Sequence, residues 1–121
     1  MRVALFLVML GIAMARQPSA AIAEDNGTLS GMRLLKDCEA NNSYCLGYML
    51  GFVEGHIASS VYASGPNGPR RDIIYCAPAE VTMGQVRRVF IAYANDNPAE
   101  LHELAQVIVV RSLRKAFPCQ S

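Results

Sequence analysis

The chain is short of most groups that do chemistry. It carries only two histidines, His56 and His102, and four cysteines, at 38, 45, 76 and 119. A zinc site needs four such ligands at close, paired spacings, and these spacings are wrong for one. No serine sits in a nucleophile-elbow context. A Cys-His nucleophile requires a free thiolate, which an even set of cysteines in an oxidising compartment does not provide. His56 and Glu54 are two residues apart on a helix and so do not face each other. His102 reads as a structural histidine, hydrogen-bonded to a neighbouring turn. No catalytic residue, cofactor or metal is implied, and the chain does not read as an enzyme.

Charge of one sign is missing too. Eleven Lys and Arg stand against ten Asp and Glu in 121 residues. Such a balance gives no footprint for nucleic acid or for an anionic membrane surface. No segment alternates convincingly with period two, which argues against a sheet. No apolar run reaches the ~20 residues of a membrane span.

The longest apolar run lies at the start, and it has a different meaning. Met1 and Arg2 form a short positive head, residues 3–15 are apolar or small, and Arg16-Gln17-Pro18 breaks the run. Residues 19–23, "SAAIA", offer an A-x-A cleavage site. This is the three-part pattern of a signal peptide over residues 1–23. The expected mature domain is 24–121, small enough for one hydrophobic core. Arg2 and Arg16 leave with the leader, so nine basic residues face ten acidic ones. All four cysteines remain, and an even number in a short exported chain reads as two disulfides.

Helical periodicity organises the rest. Thr28 is placed to cap a short helix carrying Leu29, Met32, Leu34, Leu35 and Cys38, which "EANNS" at 39–43 ends. A second helix is expected over 44–63, with Leu46, Met49, Leu50, Val53, Ile57, Ser60 and Val61 as its buried stripe. Two Gly-Pro pairs in "SGPNGPRRD", 64–72, force a loop, and "IIYC" at 73–76 suits a short extended piece on the core. Thr82 to Gln85 is a capping box that opens a third helix, with Val81 and Val86 placed as a staple. Asn97, Pro98 and Glu100 suit the start of a fourth. That helix would carry Leu101, Leu104, Ala105, Ile108, Val109, Leu113 and Ala116 inward, with Arg111, Arg114 and Lys115 against its dipole. The expectation is all-α: a single small bundle of about four helices stapled by two disulfides.

Antiparallel neighbours would bring Cys38 to Cys45 and Cys76 to Cys119, out of three possible connectivities. Chain entropy assigns about 2.5 kcal/mol to the short loop and about 4 kcal/mol to the long one. In the second helix Gly47, Gly51 and Gly55 recur four apart. Such a stripe makes a flat side where another helix can approach, in the bundle or in a dimer. The loop at 64–72, with Asn67, Pro69, Arg70 and Arg71, is the clearest place for contact with a partner.

Four stretches occur in a telling order: "CLGYMLG" at 45–51, "CAPAEVTMGQVRRVFIAY" at 76–93, "NPAELHELA" at 97–105 and "AFPC" at 116–119. Together they resemble the Rap/Tai-type immunity proteins of bacterial type VI secretion. The resemblance covers nearly all of the mature domain. It implies a small helical periplasmic protein, a homodimer, that binds and blocks a peptidoglycan amidase toxin. It also implies an exposed loop that plugs the toxin's cleft, where a Cys-His pair cuts peptide cross-links. The competing reading is a small helical periplasmic chaperone or envelope-stress binding protein with no toxin partner. Two histidines offer little for an acid-triggered chaperone.

Overall fold

A computed structural model describes residues 28–65, 67–68 and 73–120. The expected signal peptide therefore lies outside the described residues. Four α-helices follow in order: α1 Gly31–Glu39, α2 Ser43–Ser64, α3 Met83–Asp96 and α4 Ala105–Ala116, with a 3-10 turn Pro98–Glu100 between the last two. No strand occurs among the described residues. One isolated antiparallel bridge joins Ser30 to Leu104. The fold is all-α, as its periodicity predicts, and two disulfides join Cys38 to Cys45 and Cys76 to Cys119.

Each helix start has a physical cause. Ser30, not Thr28, caps α1, its hydroxyl accepting the Arg33 N–H at 3.3 Å. Asn42 caps α2 by accepting the Cys45 N–H at 3.1 Å, while its amide donates to Asp37 at 3.0 Å. One asparagine thus fastens the end of α1 to the head of α2. Asn41 just before it takes a left-handed φ of 54°, which asparagine tolerates better than most residues. The capping box of α3 is complete: Thr82 Oγ1 accepts the Gln85 N–H, and Gln85 Oε1 accepts the Thr82 N–H at 2.8 Å.

The fourth helix departs from expectation. Asn97 does not cap it; its side-chain amide donates back to the Tyr93 carbonyl at 2.8 Å and closes α3 instead. Residues 98–100 make a single 3-10 turn, and α4 begins only at Ala105 with no side-chain cap. Backbone supplies what is missing. The Ala105 N–H donates to the Leu29 carbonyl at 2.7 Å, and the amides of Gly31 and Met32 donate to Glu103 and Leu101 at 2.8 and 2.9 Å. The unpaired N–H groups that begin α1 are met by the turn before α4.

That clasp needs a glycine. A Cβ on Gly31 would stand 2.9 Å from Ile108 Cγ1 and 3.3 Å from the Leu101 carbonyl oxygen. Around it lies one core, built from Leu34, Cys38, Cys45, Met49, Phe90, Ile108, Val109 and Leu113, all with no exposed surface. α3 packs on all three other helices, and α1 packs on α4 and α2. The two buried serines are satisfied within their own helices: Ser60 donates to the Ile57 carbonyl and Ser112 to that of Val109. No described helix is long and apolar enough to cross a membrane.

Substituting Gly31→Ala is expected to destabilise the domain by about 1–3 kcal/mol, because the added methyl must push Ile108 out of place. Urea unfolding at equilibrium measures this, and a change within error would show that the clasp has slack.

Candidate functional site

Helix α2 is the unusual element. Among its 22 residues Glu54 is the only charged one. Its inward arc is Cys45, Met49 and Ser60, flanked by the half-buried Tyr48, Phe52, Val53 and His56. The arc is rotated from the one that periodicity suggests: Leu46, Leu50, Ile57 and Val61 all lie exposed. A helix that is apolar on every side offers no contrast by which its spacing could choose a face.

The glycine stripe lies on the far side. Gly47, Gly51 and Gly55 are exposed, and nothing stands within 4 Å of where their Cβ atoms would be. No helix packs against their backbone among the described residues, so the expectation that they admit a neighbouring helix within the fold is corrected. Beside them are Tyr44, Leu50, Val61 and Tyr62, the last 92 % exposed. This outer face is flat, nearly uncharged and uncovered.

Two depressions flank it. A groove of about 460 Å³ runs between Leu46, Gly47 and Leu50 of α2 and Gly84, Arg87 and Arg88 of α3. Arg87 Nε is buried in it with no hydrogen-bond partner. A larger apolar cleft of about 550 Å³ lies between the second half of α2 and residues 73–86. There His56 and Tyr75 stack, ring centres 5.0 Å apart at 32°. The "IIYC" piece has no regular structure; only Tyr75 is buried, while Ile73 and Ile74 stay exposed. The Tyr75 hydroxyl is buried without a partner among the described residues, and burial raises its pKa above the ordinary tyrosine value.

Of the candidate contact residues, Asn67 is exposed, and Pro69, Arg70 and Arg71 lie outside the described residues. His102 is exposed in the turn before α4 and makes no hydrogen bond to a neighbouring turn among the described residues. There is no free cysteine and no cluster of metal-ligating side chains among the described residues.

A polar cluster joins α3, α4 and the connector between them. Arg111 donates to Glu103 at 2.7 Å and Glu100 at 2.9 Å, and the Tyr93 hydroxyl donates to Glu100 at 3.1 Å. The hydrogen bonds to Glu103 and then Glu100 raise the Arg111 pKa further. Burial and then the bond to Glu100 raise that of Tyr93. Lys115 sits 5.6 Å over the Tyr93 ring. Arg111 therefore clips the 98–104 connector to α3 and α4 rather than serving the helix dipole. Its partners lie 8 and 11 residues away, beyond the three- and four-residue spacing at which neighbours on a helix pair.

Compared with known proteins, residues 30–119 match a family model described as Rap1a immunity proteins. No curated protein and no solved structure matches.

Tyr75→Phe removes the unmatched buried hydroxyl and is expected to stabilise the fold by about 1 kcal/mol. Because its folded pKa is raised, the tyrosine's neutral form is favoured in the native state. That contribution holds below pH ~10 and is lost as pH rises, when the unfolded chain ionises first. Denaturation across an alkaline pH series should show a shallower loss in the variant; an equal slope would mean Tyr75 does not carry it.

Proposed function

The chain belongs to the Rap1a immunity protein family, and on that premise we propose that it is exported to the periplasm and neutralises a type VI-secreted peptidoglycan amidase by binding over its active-site cleft. The carrying observation is the family match, which spans every helix of the domain from residue 30 to 119. Membership makes the chain a non-enzymatic immunity protein with a toxin for a partner. Residues 1–23 would act as the export signal and 24–121 as the mature domain. Two disulfides suit an oxidising compartment. The loop at 64–72 would enter the toxin's cleft, with Asn67, Pro69, Arg70 and Arg71 making the contact.

The outer face of α2 would pair two copies. Its glycines are symmetric about Gly51, so two antiparallel α2 helices crossing there bring Gly47 of each copy to Gly55 of the other. The same crossing turns each Glu54 toward the other copy's groove between α2 and α3, where Arg87 and Arg88 stand. Close backbone approach and opposite charge then favour the same pairing.

Co-expression in the periplasm tests the toxin reading. The intact chain should rescue cells that make a type VI-secreted peptidoglycan amidase in the periplasm, and Arg70→Asp with Arg71→Asp should weaken rescue without loss of helix. Failure of the intact chain to bind or protect would sink the reading. The dimer has its own test. A Cβ at Gly51 has nothing within 4 Å, so the circular dichroism of Gly51→Leu should match the parent while sedimentation shows a monomer. An unchanged oligomer would exclude this face.

A further inference from the structure

The two disulfides sit in different surroundings. Cys38 and Cys45 have no exposed surface, whereas Cys76 and Cys119 are both exposed. Exchange requires a thiolate to reach one sulfur in line with the S–S bond, so access decides which bridge reacts. The exposed bridge also joins the two least regular parts of the domain. Residues 73–78 have no helix or strand, and neither does the tail that follows Ala116. Beside the disulfide, one backbone hydrogen bond joins them, from the Cys76 N–H to the Phe117 carbonyl at 2.9 Å. Tyr75 is the only buried residue between 73 and 81; the rest of the core comes from the helices and from Leu101. The buried bridge, by contrast, closes the α1–α2 turn inside that core.

We propose that Cys76–Cys119 is a thiol-exchange site, a latch that a dithiol reductant opens while the helical body stays folded. One thiolate of the dithiol attacks Sγ of Cys119. The S–S bond breaks, a mixed disulfide forms on Cys119, and Cys76 leaves as a thiolate that takes up a proton. The reductant's second thiolate then attacks its own sulfur in the mixed disulfide. Cys119 departs as a thiolate and is protonated, and the reductant leaves as a disulfide. Two electrons pass from the dithiol to the bridge. Since Tyr75, Cys76, Ala77 and Val81 line the cleft beside α2, opening the latch removes one wall and bares the half-buried side of α2 around Val53 and His56. This assignment does not depend on the toxin reading, and its test needs no toxin.

The test treats the folded mature protein with dithiothreitol in native buffer, traps thiols with N-ethylmaleimide and maps the labelled peptides. Cys76 and Cys119 should be labelled at least about tenfold faster than Cys38 and Cys45, since the first pair needs only local opening. Helical circular dichroism should persist. The Cys76 amide should lose hydrogen-exchange protection while those of Phe90 and Ile108 keep theirs. Equal labelling of all four cysteines, or helix loss in step with labelling, would overturn the proposal. The Cys76→Ser/Cys119→Ser variant gives a second reading. It should fold with full helix content and a protected Cys38–Cys45 bridge; failure to fold would make the exposed bridge part of the framework and end the latch.

Discussion

The buried Cys38–Cys45 bridge is the constraint on which the rest of the molecule turns. It joins residues seven apart across the α1–α2 corner, with both cysteines fully enclosed. Asn42 adds to it by bonding both helices at once. Together they set the rotation of α2 about its own axis. Hydrophobicity could not do so, because Glu54 is the helix's only charge and apolar residues occur all the way round. Once Cys45 points inward, Met49 and Ser60 follow one to four turns later, and the glycines must point out. The uncovered face is therefore a consequence of the staple.

Such a face has a cost that function can explain. Monomeric proteins rarely keep a large contiguous apolar patch in water. Here Tyr44, Leu50, Val61 and Tyr62 surround three glycines with no carboxylate or cation among them except Glu54. An immunity protein acts by surface contact and has no reaction to perform, so its useful residues are those that the core leaves over. The Gly31 clasp and the Arg111 clip hold α1, α4 and their connector in place. The stretch at 73–81 meets the core through Tyr75, Ala77 and Val81, and is tied to the chain's tail by one backbone hydrogen bond and an exposed disulfide.

Local signals in the chain were strong where the chemistry is local. The capping box at Thr82 and Gln85 involves neighbours three apart and forms in the structure as its residue types require. The ends of α2 fall within one residue of the span that periodicity marks. Signals failed where the partner is distant. The Asn97-Pro98-Glu100 pattern mimics a helix start, yet Asn97 closes the preceding helix, and α4 takes its first hydrogen bonds from a chain segment some 75 residues earlier in the order, at Leu29. Gly31 stands outside the three-glycine stripe and carries no local signal, yet the packing between α1 and α4 uses its missing Cβ.

The amino-acid sequence by itself determined the helical class, the helix-forming segments, the family motifs and the supply of four cysteines. Those features depend on spacing within a few turns, on composition and on residue order. Tertiary structure alone decided which side of α2 is buried, why Gly31 has no room for a Cβ, where Arg111 finds its carboxylates and which disulfide meets solvent. Each of these is a contact between residues far apart along the chain, and periodicity carries no information about such a contact when a helix is equally apolar on every side.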